Sequence, residues 1–574
     1  MGKPAARFSA QRKLSLLAAT AMVVLATSAL AQVKDGFLDF DGKPDFLPGN
    51  TDGLSGQSGA GNKGSGASSG GGFVNSAPLG SSSVGLSFNG VSQFDLRNIL
   101  GGSFIPPDTM GAIGASQFME TTNGVYAIYD KSTGALQSKV DARAFWAAAG
   151  VNDGSGLGGD ARVLFDKTSQ KWIALQFGLS FSDIQIAVST TSNALGPWQS
   201  TKFTGFAGGI ADFPTLAIDA KGVYIGTNDF SSGGSFQGTT LNVIARSDLL
   251  GAGAPTAANV KQFNTPFTGG AGDQDRGFAI QGVNSSGPNS GLVIAASLFA
   301  NDSLRYNVSN PGTPGATTGP VTYLGLTDYE LSNGGGRQPD GTRNIATGDQ
   351  RISSNAWEQN GKIYAVYTAT PLGGDHTQVR WVVINAHTNA IIQEGTISDP
   401  NFDFYYGSLA VNEFGQVVIG YNRSGLTTND LNGDGKFDGN VSFFARTYNS
   451  DALGQLYQTD ELLLHASDIN DYHNGSFQGQ DAAGRQRWGD YSAVTLDPNN
   501  SHSFWAIGEY ANVWNNRAGC TPGNPPGCTQ GGGSSWGTWI SQIDVVPEPQ
   551  TYMLIIVGLL ALGATTRRGK TTNG

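Results

Sequence analysis

Oxygen-bearing side chains are most closely spaced between Asp430 and Asn440, in the run DLNGDGKFDGN. They stand at every second position, and Gly435 occupies the place of a sharp turn. Calcium loops supply oxygen ligands at this alternation, because every second residue can face the same cation. The expected ligands are Asp430, Asn432, Asp434, Lys436 through its backbone carbonyl, and Asp438.

The usual bidentate glutamate of an EF-hand is absent, because Val441 stands at its place and no helical pattern flanks the loop. We therefore predict an isolated calcium loop on a surface insertion, with its remaining ligands supplied from elsewhere. The alternative is a polar turn rich in Asn, Asp and Gly that binds no metal.

A second group of residues could do chemistry if the fold brought its members together. Carboxyl groups and arginines that converge on one site could bind an anionic sugar and hydrolyse a glycosidic bond. The arginines beside repeated acids are Arg162, Arg276, Arg351 and Arg487. The other residues are Asp160, Asp349, Asp490, Tyr491 and Glu509. Arg487, Asp490 and Glu509 are the catalytic candidates.

A structural role for these acids is the favoured interpretation. An acid that recurs at the same point of each repeat caps a turn by accepting backbone N–H groups, and its neighbouring arginine can pair with it. A catalytic residue, in contrast, tends to occur once. We therefore expect a protein that binds rather than catalyses. The five histidines show no paired metal spacing, and no phosphate-binding glycine loop is present.

The segment Arg487–Tyr510, RWGDYSAVTLDPNNSHSFWAIGEY, is the unit around which the chain is organised. It predicts a strand at Ala493–Leu496, a turn at Asp497–His502 and a returning strand at Ser503–Tyr510. Related segments are led by Asp108, Asp160, Asp212, Asp349 and Asp403, and a fainter one starts at Phe278.

The first three of these aspartates are each separated by 52 residues. A strand-and-turn repeat of about 50 residues predicts an all-β fold, a β-propeller of seven blades, or of six if one unit is partial. Ser87–Asp95 is predicted as its first strand and Asp141–Ala149 as a short helix. Trp536–Ile543 is predicted as a last strand that closes the ring against an early segment.

Composition agrees with this fold and excludes some functions. Glycine is abundant, with 83 residues, and charged residues make up 14% of the chain. Many glycines and few charges are typical of short strands joined by tight turns, and not of a coiled coil. The formal net charge of −11 disfavours nucleic-acid binding, because phosphates would be repelled.

Val188–Trp198, VSTTSNALGPW, resembles the Asp-box turn of sialidase-like propellers. Asn193 lies near the acid position, followed by Gly196 and Trp198, so the copy departs from the pattern in its spacing and its acid. The resemblance implies a structural turn whose tryptophan packs between blades. It also makes a sialidase-like glycoside hydrolase the rival function, since such enzymes use three arginines, a Tyr–Glu pair and an acidic proton shuttle.

Seven of the ten tryptophans raise the question of sugar stacking. Several lie in the middle of predicted strands, so packing between blades is the expected use, with at most one or two exposed. They are Trp146, Trp172, Trp198, Trp357, Trp381, Trp488 and Trp505.

Both ends of the sequence read as export signals. Residues 1–31 combine a basic start, an apolar run and Ala29-Leu30-Ala31, which predicts a secretory signal peptide cleaved after Ala31, with a retained anchor as the alternative. Residues 32–85 are polar and Gly/Ser-rich, which predicts a flexible linker before a folded domain at 86–545.

Residues 546–574 contain Pro547-Glu548-Pro549, an apolar run and the basic pair Arg567-Arg568. This tail resembles the PEP-CTERM sorting signal of Gram-negative bacteria over about 25 residues. The resemblance implies processing by an exosortase, and an association with exopolysaccharide or biofilm matrix at the cell surface. The apolar run is shorter than the roughly 20 residues of a full span. The chain would therefore meet the membrane only through this segment, and an ordinary anchor is the alternative.

Cys520 and Cys528 are the two cysteines, and they bracket TPGNPPG. In an exported protein this spacing predicts one disulfide that closes a small loop, with a zinc site as the less favoured alternative. The sequence thus predicts an exported, non-catalytic surface or matrix protein that contains calcium. Its partners would be an exosortase and a polysaccharide or surface protein.

Overall fold

Most of the folded chain is β-strand. The computed structural model describes residues 38–39, 82–151, 158–178, 181–270, 272–332, 335–451, 453–473, 486–514 and 534–545. The predicted signal peptide, the sorting tail and both cysteines lie outside these residues. Among the described residues, no helix is long and apolar enough to cross a membrane.

Two short strands and one long strand precede the repeats. β1 (Leu38–Asp39) pairs in parallel with β3 (Phe104–Ile105), and β2 (Ser83–Ser92) joins the last sheet of the chain. The ordered strand thus starts three residues before the predicted boundary at residue 86.

Consecutive strands form antiparallel sheets, numbered here in chain order. Sheet 1 contains β4 (Met110–Ile113), β5 (Gln117–Thr122), β6 (Val125–Asp130) and β7 (Leu136–Asp141). Sheet 2 contains β8 (Arg162–Asp166), β9 (Lys171–Phe177), β10 (Asp183–Ser189) and β11 (Trp198–Thr204). Sheet 3 contains β12 (Gly209–Asp212), β13 (Ala217–Ile218), β14 (Gly222–Ser231), β15 (Phe236–Ala245) and β16 (Lys261–Pro266).

The middle of the chain contains two sheets and a small hairpin. Sheet 4 contains β17 (Phe278–Ser285), β18 (Leu292–Ala296), β19 (Ser303–Ser309), β20 (Thr317–Thr318) and β21 (Thr322–Tyr323). Sheet 5 contains β22 (Tyr329–Glu330), β25 (Ala356–Gln359), β26 (Lys362–Pro371), β27 (Gln378–Asn385) and β28 (Ile391–Ile397). The hairpin between them is β23 (Gly336–Arg337) with β24 (Arg343–Ile345).

The last two sheets complete the series. Sheet 6 contains β29 (Phe402–Val411), β30 (Val417–Gly425), β31 (Ser442–Ser450) and β32 (Leu456–His465). Sheet 7 contains β33 (Ala493–Leu496), β34 (Ser503–Trp514), β35 (Ser534–Asp544) and β2. A parallel pairing of β17 with β25 joins sheets 4 and 5.

Hydrogen bonds connect each sheet to the next and the last sheet to the first. Such a ring of mainly four-stranded sheets is the arrangement of a β-propeller, so the predicted all-β class is confirmed. In chain order, the links are Thr121–Ala161, Arg162–Pro214, Thr215–Ile280, Asn284–Ala356, Thr368–Tyr406, Ser408–Ser492 and Thr495–Ile113. Apolar clusters fill the spaces between neighbouring sheets.

The ring is closed by β35, which pairs with β2 from the start of the domain. This confirms the predicted last strand and its early partner. The buried carboxylate of Glu120 in β5 strengthens the junction. It accepts the backbone N–H of Val91, the Thr538 hydroxyl at 2.5 Å and the Tyr129 hydroxyl at 2.9 Å.

Three short helices connect strands. α1 (Gln93–Leu100) begins inside the segment predicted as the first strand, because Ser92 and Asp95 form a capping box that starts a helix there. α2 (Ala142–Ala148) confirms the predicted helix, and the carboxylate of Asp141 caps its N-terminus. α3 (Arg246–Leu250) follows β15.

Candidate functional site

The starts of the inner strands meet at one end of the ring, which we call the mouth. Several residues there have positive φ, for example 48° at Asp108 and 55° at Asp160. Non-glycine residues rarely take this conformation, and aspartate and asparagine do so more readily than most. The mouth consists of Asp108, Asp160, Arg162, Asp349, Arg351, Tyr406, Arg487, Asp490, Tyr491 and Glu509.

Two consecutive backbone amides bind two buried carboxylates where sheet 7 meets sheet 1. The N–H of Gly489 donates to Glu509 Oε2 at 2.7 Å, and the N–H of Asp490 donates to Asp108 Oδ1 at 3.0 Å. A side chain at position 489 would collide with Glu509, since a Cβ there would lie 2.8 Å from Oε2. The absence of a side chain at position 489 therefore lets the backbone come this close to the carboxylate.

Burial is the main cause of the raised pKa of both carboxylates. Burial and the nearby charge of Asp490 raise the pKa of Asp108 to about 6. Burial raises the pKa of Glu509 well above its usual value. Among the described residues, no hydrogen-bond partner meets Glu509 Oε1. The Asp490 carboxylate is half-buried, and it accepts from Tyr406 at 3.3 Å and Arg487 at 3.4 Å.

Arg162 contacts several segments of the ring from a buried position. It is 2% exposed, and its guanidinium donates to the carbonyls of Pro214 and Ser353, both at 2.8 Å. The guanidinium carbon lies 3.7 Å from the ring centre of Tyr491, whose hydroxyl donates to Asp160. Arg162 therefore connects sheet 2 to sheets 3 and 7 and to the segment that leads into sheet 5.

Arg351 forms a bidentate ion pair with Asp349, with both nitrogen–oxygen distances 2.7 Å. Its guanidinium carbon also lies 4.8 Å from the Phe213 ring centre and 5.3 Å from that of Phe278. The charge is thus held between a carboxylate and two aromatic faces. This places Arg351 against sheets 3 and 4.

The predicted set of arginines and acids largely converges. Arg162, Arg351 and Arg487 reach the mouth, as do all the predicted acids and Tyr491. Arg276 does not, and that prediction is wrong. Its guanidinium donates to the carbonyl of Gly319 at 2.6 Å and lies over Tyr306. In this repeat Ala279 has the positive φ that Asp108 and Asp160 have in theirs, so Phe278 and Ala279 occupy the place of the mouth residues.

Three residues that belong to the mouth or contact it were not predicted. Asn123 donates to Asp108 at 2.7 Å, Tyr406 donates to Asp490, and Phe213 lies under Arg351. Phe213 directly follows Asp212, and Tyr406 lies three residues after Asp403, so both stand close to repeated acids. That proximity was the only available signal. Asp403 itself is buried and pairs with Arg337 at 2.7 Å, which attaches the β23–β24 hairpin to sheet 6.

The tryptophans pack inside the fold, as predicted. Six of the seven are 9% exposed or less, and Trp357 is half-buried. Trp198 packs edge-on against Phe145 and donates to the carbonyl of Ala194 at 2.8 Å. In the same turn, Asn193 accepts the N–H of Leu195, so the amide closes the turn in place of an acid.

The predicted calcium loop lies on the surface between β30 and β31. Asp430 accepts the backbone N–H groups of Gly433, Asp434 and Gly435, while Lys436 pairs with Asp468 at 2.8 Å. The side chains of this loop offer carboxylate and amide oxygens, which are the ligands that a hard cation prefers. In the part of the chain that the structure describes, no three His, Cys, Asp or Glu side chains are arranged to hold a metal ion.

Comparisons with known proteins find similarity in solved structures only. No protein-family model matches the sequence, and no curated protein matches it. The WD40 repeats of RRP9 are 8% identical, with 77% of this chain and 98% of that chain covered and a TM-score of 0.36. The α-L-arabinofuranosidase from Lactobacillus brevis is 10% identical, with 66% and 90% covered and a TM-score of 0.28.

A third solved structure is Drosophila semaphorin 1b, extracellular domains 1–2. It is 9% identical, with 80% of this chain and 87% of that chain covered and a TM-score of 0.31. These likenesses concern the sheet architecture alone.

Proposed function

We propose that this chain is an exported β-propeller that acts as a non-catalytic binding or structural protein at the cell surface or in an extracellular polysaccharide matrix. One observation supports a role without catalysis. Most charged side chains of the mouth bind one another or backbone groups of the ring. Arg351 is occupied by Asp349, and Arg162 by two carbonyls. Groups used in this way hold the ring together.

The ring has seven blades in this proposal, one for each numbered sheet. The alternative of six would require two sheets to form one blade. Among the residues that the structure describes, sheets 4 and 5 are the two of the seven that share strand pairing. That pairing is parallel and joins β17 to β25, the first strands of two antiparallel sets. Counting them as two blades is therefore the better description.

Export and sorting rest on the sequence. The signal peptide at residues 1–31, cleaved after Ala31, would direct the chain out of the cytoplasm. The Pro547-Glu548-Pro549 tail with its apolar helix would be processed by an exosortase, leaving the domain at the outer surface or in the matrix of a Gram-negative bacterium. In an exported chain Cys520 and Cys528 would form a disulfide.

The sorting proposal is tested by deleting Pro547–Pro549 in the native host and following the chain by cell fractionation. We expect an unprocessed form that stays with the membrane. A variant lacking Thr571–Asn573 serves as the control for a deletion of equal length. Normal processing and release of the Pro547–Pro549 deletion variant would refute the sorting route.

A glycoside hydrolase is the second candidate, and one observation favours it. Asp108, which is buried and has a pKa raised to about 6, accepts a hydrogen bond from the backbone N–H of Asp490, whose own carboxylate is half-buried. Two carboxyls in unlike environments can divide the roles of acid and base. Arg487 and Glu509 would complete such a site.

The two functions are separated by incubating the purified mature protein with sialosides and matrix polysaccharides and measuring released reducing sugar. We expect no release above that of Asp490→Asn. Release that Asp490→Asn and Arg487→Ala abolish, without lowering the unfolding midpoint, would establish the hydrolase instead.

A further inference from the structure

Three aromatic side chains form an exposed group beside sheet 4, which we call the aromatic platform: Phe267, Phe299 and Tyr323. Phe299 and Tyr323 are each 50% exposed, and Phe267 is half-buried. The rings of Phe267 and Phe299 are stacked, with centres 6.2 Å apart and planes 26° apart. The Phe299 ring is thus held against Phe267 while half of its surface faces solvent.

The loop that carries Phe299 is fixed by hydrogen bonds. Asp275 accepts from the Ser297 hydroxyl at 2.6 Å, the Leu298 N–H at 3.1 Å and the Tyr323 hydroxyl at 3.0 Å. The Ser297 hydroxyl oxygen in turn accepts the N–H groups of Phe299 and Ala300. A surface fixed in this way loses little conformational freedom when a ligand binds.

Buried aromatics connect the platform to the mouth. Phe267 lies 5.2 Å from Phe236, and Phe236 lies 5.8 Å from Phe278, between ring centres. Arg351 of the mouth in turn lies over the ring of Phe278, with its guanidinium carbon 5.3 Å from the ring centre. The platform is therefore the exposed end of a rigid aromatic series, and its position is set by the ring itself.

The chemistry around the platform selects among possible occupants. Carboxylates of Asp273, Asp275 and Asp302 stand on the same loops, while the guanidinium of Arg276 donates to the carbonyl of Gly319. With a formal net charge of −11, the chain repels polyanions. A sugar ring stacks its C–H face on an aromatic ring and offers hydroxyl groups to carboxylates, and it needs no positive charge.

We propose that the aromatic platform binds a neutral polysaccharide, by stacking of sugar rings on Phe299 and Tyr323. This deepens the proposed matrix function and rests on it. Retention of the protein at the cell surface tests the matrix function independently of the platform. Polysaccharide binding by the purified protein tests the platform independently of the cell. Failure of one is therefore distinguishable from failure of the other.

The test is affinity gel electrophoresis of the purified mature protein in gels containing hydroxyethyl cellulose, dextran, xylan or galactomannan, with alginate as the acidic polysaccharide. We expect retardation by at least one neutral polymer, and an at least tenfold weaker Kd for Phe299→Ala and for Tyr323→Ala. Phe299→Trp should retain binding, because it keeps a stacking face. Urea unfolding midpoints confirm that each variant is folded.

Phe414→Ala is the matched control. Phe414 is also an exposed phenylalanine, 55% accessible and stacked on His502. It comes after the last residue of β29, at the end of that strand that lies away from the mouth. Polysaccharide binding by Phe414→Ala should equal that of the wild type. Retardation by none of the neutral polymers, stronger retardation by alginate, or full binding by Phe299→Ala would each overturn the proposal.

Discussion

The carboxylate of Asp108 accepts the backbone N–H of Asp490 at 3.0 Å, across 382 positions of sequence. The two residues lead the first and last repeats, so this bond joins the beginning of the ring to its end. Glu509 accepts the neighbouring amide of Gly489 in the same way. We therefore expect the buried acids of the mouth to contribute to the stability of the ring.

Replacement of Glu120 should weaken ring closure. Glu120→Ala removes the acceptor for Val91, Tyr129 and Thr538 and leaves these donors buried. Unsatisfied buried donors cost about 1–3 kcal/mol each, and the Thr538 hydroxyl can still donate to the Val91 carbonyl, so the unfolding free energy should fall by roughly 2–6 kcal/mol. Urea unfolding measures it.

Glu120→Gln should lower the unfolding free energy less than Glu120→Ala, because it keeps an oxygen acceptor and removes a buried charge. Glu413→Ala, at an exposed position, is the control and should change it by less than about 0.5 kcal/mol. Equal stability of Glu120→Ala and the wild type would show that β2 is held without this carboxylate.

Asp108 should make the protein less stable as the pH rises towards neutrality. Its folded-state pKa is raised from 3.8 to about 6, so its contribution is fully present below pH 3.8 and is lost as the pH rises through about 6. The whole effect amounts to about 3 kcal/mol. Asp108→Asn cannot ionise there, so its unfolding free energy should rise relative to that of the wild type between pH 4 and pH 7.

The readout is this difference in unfolding free energy between the two proteins, followed across the pH range rather than at one pH. A difference that stays constant from pH 4 to pH 7 would contradict the raised pKa of Asp108.

Gly489 should not tolerate a side chain. In Gly489→Ala the new Cβ would lie 2.8 Å from Glu509 Oε2 and would displace a buried carboxylate. Overpacking of this kind costs about 1–3 kcal/mol of unfolding free energy. Gly253→Ala is the matched control, since a Cβ there has no neighbour within 4 Å. Identical thermal midpoints for the two variants would refute the close contact.

Calcium should raise the melting temperature through the loop at residues 430–440. Asp430 and Asp434 supply carboxylate oxygens, and their side chains already shape the turn. We expect Ca²⁺ to stabilise the wild type in thermal unfolding, and EDTA to reverse this. The double variant Asp430→Ala plus Asp434→Ala should lose the shift, whereas Asp451→Ala, an acid in another turn, should keep it. An unchanged shift in the double variant would remove the assignment.

Repetition made the fold predictable. The repeats of a ring place their leading acids at the same end of its axis, so arginines close to those acids in sequence can converge, as Arg162, Arg351 and Arg487 do. The strand at Ala493–Leu496 and the pairing of the last strand with an early one followed from the same pattern.

Contacts between distant segments were not predictable in this way. Glu120 binds Val91 and Thr538, and neither its position in β5 nor its residue type distinguishes it in the sequence. Arg276 also stands beside an acid just before a strand, yet its guanidinium donates to the carbonyl of Gly319. The capping box at Ser92 has a local signature, but the alternating pattern of the strand before it extended the predicted strand too far.

The central claim is that the charged mouth holds the ring together, and Arg162 tests it most directly. Arg162→Met keeps the length of the side chain but removes its hydrogen bonds to Pro214 and Ser353. We predict that the unfolding free energy in urea falls by about 2–4 kcal/mol, while Arg276→Met, outside the mouth, costs less than half as much. An Arg162→Met protein with the unfolding free energy of the wild type would contradict the claim.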